Sequence, residues 1–152
     1  MPTRRYASKA VEELRSWLSS NYGTYLTTIN TEEGTTLSAP TIYRGAIHPF
    51  AVEPIALEVE CESFRPEDVV NDYWFHDCQV HFVLRGADAD VVAAQQNLRR
   101  YVSALIRALE ANPTLGSTVV DAEIGETSFG GVGDEQLLFV ATTQVTVKTH
   151  EA

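Results

Sequence analysis

The chain is short of thiols, of positive charge and of long apolar runs, and each shortage removes a class of protein. Cys61 and Cys78 are its two cysteines among 152 residues, too few for a disulfide framework, so two thiols packed inside the fold are expected. No apolar run approaches the roughly 20 residues of a membrane helix. The opening MPTRRYASKAVEEL carries two arginines with no apolar stretch behind them, which predicts neither a signal peptide nor membrane attachment. Lys and Arg number 11 against 21 Asp and Glu, a net charge of -10. A protein that grips phosphates needs a basic footprint, and the doublets here are Arg4-Arg5 and Arg99-Arg100. Nucleic-acid binding is therefore not expected. An acidic surface instead favours solubility, repulsion of DNA, or a basic partner.

What is present is an ordinary globular composition, 44% hydrophobic and 21% charged, with enough length for one core. One domain, 1–152, is expected. Val11, Leu14, Leu18, Tyr22, Tyr25, Leu26 and Ile29 recur at three- and four-residue steps and predict a helix from Ser8 to about Ile29, with Gly23 able to bend or split it. The polar segment Asn30–Pro40 reads as a loop. Thr41–His48 reads as a short strand ended by Pro49.

After Pro54, IALEVECE alternates Ile55, Leu57, Val59 and Cys61 with a face bearing Glu58, Glu60 and Glu62. A second strand, Tyr73 to Arg85, places Trp74, His76, Cys78, Val80, Phe82 and Leu84 on its better core face. Paired antiparallel about a loop at 63–72, the two strands bring Cys61 and Cys78 together on the inner side. A helix capped by Asp88 then runs to about Ala111, some 36 Å at about 1.5 Å per residue. Pro113 removes an amide and biases Asn112 away from helical angles, so the helix stops there. A strand with Val120, Ala122 and Ile124 on one side, a GGVGDE turn and a last strand from Gln136 to Thr149 complete the chain. The expectation is α+β: an antiparallel or mixed sheet of four to five strands, two helices on one face, order α-β-β-β-α-β-β.

Little in this chain points to catalysis. GGVGDE lacks the Lys-Ser or Lys-Thr of a phosphate-binding loop and precedes a strand. His76, Cys78 and Cys61 could converge as three soft ligands, which would make a small metal-dependent enzyme, but a zinc site wants four ligands or three plus water. The simpler reading is a half-buried histidine beside two apolar thiols, with no metal and no cofactor. The alternating glutamates suit a solvated strand face. Arg99 and Arg100 fall off the apolar stripe and read as exposed, with bidentate pairing to another subunit's carboxylates as a second use.

The segment VHFVLRGADADVVAAQQNLRRYVSALIRALEANPTLGSTVVDAEI, its strand QVHFVLRG, and the final hairpin into LLFVATTQVTV resemble the tail terminators, or tail completion (neck) proteins, of long-tailed bacteriophages. That resemblance implies a non-enzymatic virion protein made in the host cytoplasm, a ring commonly of six copies at the head-proximal end of the tail tube. The ring would stop tube polymerisation and dock the head connector, while viral DNA passes through without specific binding. Another head-tail joining component is the alternative within virions. Glu58, Glu60 and Glu62 would then face the channel. Arg65, Asp68, Phe75, Arg99, Arg100, Phe129, Asp134 and Glu135 would contribute to contacts with neighbouring copies, the tube protein or the connector, on loops and edges that order against a partner. Trp74 reads as core before interface.

Overall fold

Residues 6–44, 55–68, 70–85, 91–132 and 138–150 are described by the structure, a computed structural model. The first helix, α1 (Tyr6–Glu33), buries Ala10, Leu14, Leu18, Tyr22, Leu26 and Ile29 as one stripe. Gly23 neither splits nor ends it. The helix runs one turn past Ile29 because Gly34 supplies a left-handed cap (φ 66°) and the Thr35 amide donates to the Asn30 carbonyl at 2.9 Å. Asn30 then organises the segment after the cap, its Oδ1 accepting from Leu37 N (2.9 Å) and Thr35 Oγ1 (2.8 Å).

β1 (Thr41–Arg44), β2 (Ile55–Asp68), β3 (Tyr73–Arg85), α2 (Val91–Ala111), β4 (Asp121–Val132) and β5 (Leu138–His150) follow. The five strands form one mixed sheet in the order β1-β2-β3-β5-β4, parallel between β1 and β2 and antiparallel elsewhere. This is the α+β architecture and element order expected. Both helices pack on one face. Leu57, Val59, Val80, Phe82, Ala141, Val145 and Val147 meet them there, all buried. Tyr22 and Tyr101 fasten the layers: Tyr22 Oη donates to the Tyr101 carbonyl and Tyr101 Oη to the Ser38 carbonyl, each at 2.8 Å, and both rings lie against Phe82. Burial pushes the Tyr22 phenol well above its ordinary pKa and the Tyr101 phenol up to about 12.

Four local expectations are corrected. β2 continues through Phe64, Arg65 and Pro66 to Asp68, so the 63–72 loop is largely strand. Among the described residues β1 pairs only with Ala56–Val59 and β2 has β3 alone at the level of Pro66, an edge position that tolerates proline. Cys61 and Cys78 are directly opposed, with Cα atoms 3.9 Å apart, and are joined as a disulfide rather than left as thiols. Gly130 and Gly131 lie within β4, paired to Val140 and Phe139, instead of in a turn. Val120 is 40% exposed, and Val119 and Ala122 bury in its place.

The stop after α2 is built as its sequence suggests. Asn112 Nδ2 donates to Ala108 O (3.0 Å) and Tyr25 Oη (2.7 Å), and the buried Leu115 anchors a turn in which Leu115, Gly116 and Ser117 all take positive φ. The proposed Asp88 cap, the end of the first short strand beyond Arg44 and the start of the last strand before Leu138 lie outside the described residues.

Candidate functional site

The sheet face away from the helices holds the polar side chains that sequence alternation placed outside. It is not uniformly solvated. Ala56, Val83 and Val140 are buried on it, with Leu138 packed against them. Glu58 is 1% exposed and His81 5%, which removes Glu58 from the set of solvated, channel-facing carboxylates. His81 sits at the centre of a hydrogen-bonded row across three strands. Its Nε2 lies 2.8 Å from Glu60 Oε1 and its Nδ1 2.8 Å from Thr142 Oγ1. A carboxylate only accepts, so Nε2–H donates to Glu60; with the imidazole neutral, Nδ1 accepts from the threonine hydroxyl. A hydroxyl, an imidazole and a carboxylate in series are the parts of an activated nucleophile. Here Thr142 lies mid-strand, opposed by His81 on β3 and Ser128 on β4. Strand pairing occupies the nearby amides, and with them the donors an oxyanion would need. The row ties β2, β3 and β5 together.

Glu62 is left on the surface by a different cause. It is the extra residue of a bulge between Cys61 and Ser63, beyond which the faces of β2 exchange. Ser63 and Arg65 therefore share the outer face with Asp77 and Phe75, while Phe64 joins Trp74 and His76 on the other. Arg65 Nη1 binds Asp77 Oδ2 at 2.7 Å and its guanidinium lies 5.1 Å from the Phe75 ring. Burial pushes the Asp77 carboxyl up, but hydrogen bonds from Arg65 and Ser63 and the charges of Arg65 and His76 outweigh it and hold it below the usual range. Lys148 covers Phe75 and Tyr73 from β5, and its ion pair with Glu67 raises its pKa. A recess of about 270 Å³ opens beside this cluster between Glu62, Asp77, Gln79 and Gln144.

The two arginines of α2 part company. Arg99 is exposed, 5.9 Å from the ring of Phe129, itself 48% exposed. Arg100 turns the other way, donating to Asn97 Oδ1 (2.9 Å) and lying 3.8 Å from Glu33 of α1, so a bond within the chain replaces the solvated role expected. Asp68 pairs with Tyr73 at the hairpin end, and Trp74 is half-buried. Asp134 and Glu135 lie outside the described residues. Of the expected contact residues, then, the fold joins Arg65 to Phe75 and Arg99 to Phe129, at opposite ends of the sheet. It does not join Arg99 to Arg100 or Glu58 to Glu62. Sequence reasoning missed the part played by Asp77, Lys148 and Thr142, which only cross-strand register reveals.

The supposed soft-ligand set is also dismantled, since the sulfurs of Cys61 and Cys78 are bonded to each other. Among the described residues, no three His, Cys, Asp or Glu side chains are placed to hold a metal, and no helix is long and apolar enough to cross a membrane. No protein-family model and no curated protein matches this chain.

Proposed function

We infer that the chain is a structural protein of a long phage tail, a ring of six copies at the head-proximal end of the tube that ends polymerisation and receives the head connector. The observation that carries this reading is the unfinished sheet. Among the described residues, the 12-residue β4 is hydrogen-bonded to β5 and ends the sheet, while the opposite edge is β1 (Thr41–Arg44) beside a much longer β2. Long open edges pair readily with another chain, and a subunit with different surfaces at its two ends associates head to tail, which closes into a ring when the rotation allows.

Two further features support it. The net charge of -10 suits a wall that viral DNA passes without sticking. With Glu58 buried, exposed Glu62 on β2 and Glu123 on β4 are the carboxylates suited to that wall. A disulfide belongs in a particle that leaves the reducing cytoplasm where it is assembled. Electron microscopy of tails assembled with and without the protein tests the reading. Overlong tubes in its absence support a terminator. Tails of normal length that fail to join heads would replace it with a joining protein, and normal virions would end both readings.

A further inference from the structure

An apolar projection and an apolar recess lie at opposite ends of the sheet. The projection is the β2–β3 hairpin, where Val70 is 91% and Phe64 42% exposed. The recess, about 150 Å³, lies between α2 and the β4–β5 pair and is lined by Leu98, Phe129 and Phe139 with Gln95 and Gly130. Phe64 is level with His76 on β3 and Phe139 with Leu84. Those eight residues of strand, at about 3.4 Å each, separate the two features by roughly 27 Å. The hairpin of one chain therefore does not fill the recess of the same chain.

Size and charge match between them. An apolar cavity of about 150 Å³ takes up a benzene-sized guest, so a branched or aromatic side chain suits it. At the tip the hairpin carries Asp72 two residues from Val70, Glu67 being ion-paired with Lys148, and the rim of the recess carries the exposed guanidinium of Arg99. We propose that the recess receives the β2–β3 hairpin of a second copy, Val70 entering between Leu98 and Phe129 while Asp72 at the hairpin tip meets Arg99. The contact is heterologous, one end of each chain serving as projection and the other as socket, which is the geometry a ring requires. It rests on the ring reading above and names the surfaces that make it.

The test uses two surface variants of the full chain. Val70→Asp places a charge on the projection, and Gln95→Trp fills the socket from an exposed helix position. Each alone should weaken self-association at least about tenfold, the loss expected for one buried aliphatic side chain, with the melting temperature unchanged. Mixed in equal amounts, the two should form dimers through the one intact interface and go no further, as read by native mass spectrometry. As a second readout, V70C and Q95C chains mixed and oxidised should give a cross-linked heterodimer, independent of any effect of Val70→Asp on folding. If both variants assemble as the parent does and the cysteines do not cross-link, the docking assignment falls while the ring reading stands. A parent chain that stays monomeric in solution and on tail tubes overturns both.

Discussion

Reduction of the Cys61–Cys78 disulfide is the perturbation whose size follows most directly from the fold. The bond closes a segment with a sequence separation of 17. Loop-closure entropy for that length is worth about 3 kcal/mol, less whatever hairpin structure the unfolded chain retains. Against a total of roughly 5–15 kcal/mol for a domain, that is a large share. At about 2–4 °C per kcal/mol for a chain of this size, reduction should lower the melting temperature by roughly 6–12 °C. Cys61→Ala should do the same in the absence of reductant, and adding reductant to that variant should change nothing further. Urea unfolding with and without reductant measures the effect, and alkylation under denaturing conditions counts the thiols. Two alkylated cysteines in protein never exposed to reductant, or unfolding midpoints that coincide, would refute the reasoning.

Other predictions concern the polar groups. With the Tyr101 phenol raised to about 12 from an ordinary 10.0, the neutral ring favours the fold below pH 10, and stability should fall as pH rises from 10 towards 12; tyrosinate absorbance should follow unfolding. Asp77 has the opposite sign. Its lowered pKa gives stability that is present above 3.8 and lost as pH falls through the folded value. Because Asp77 and Arg65 are 41% and 56% exposed, Asp77→Asn should cost at most about 1 kcal/mol near neutrality and nothing in acid, as urea melts at both pH values will tell. His81→Ala removes a buried ring and both its hydrogen bonds and should cost about 2–4 kcal/mol, whereas Glu60→Gln, which can still accept from Nε2, should cost under about 1 kcal/mol in the same assay.

The apolar periodicities made the layers legible. Leu14, Leu18, Tyr22 and Leu26 on one helix, and Val80 and Phe82 on one strand, are core positions because burial follows the helix and strand periods directly. The Asn112-Pro113 stop was equally readable, since proline's missing amide acts locally. Other features depend on groups far apart in the chain. Glu58 looks solvated from alternation alone, yet burial on the second sheet face depends on what packs there. The bulge at Glu62 shifts Arg65 to the face of Asp77, and a period-two pattern carries no mark of it. The disulfide needs Cys61 and Cys78 directly opposed, which the expected hairpin brought near while composition argued against the bond. Phe129 and Arg99, read from the sequence as candidates for contact with a neighbour, do lie side by side at an exposed recess, whereas Val70 was not singled out, because two adjacent valines in a polar turn belong to neither a helix nor a strand period.

The central claim is that this chain closes on itself around a pore, and the mass of the native assembly tests it most directly. The account expects one discrete species of six chains, either in free protein or on protein recovered from tails, with a central hole in electron micrographs. A monomer or a twofold dimer in both preparations would contradict it.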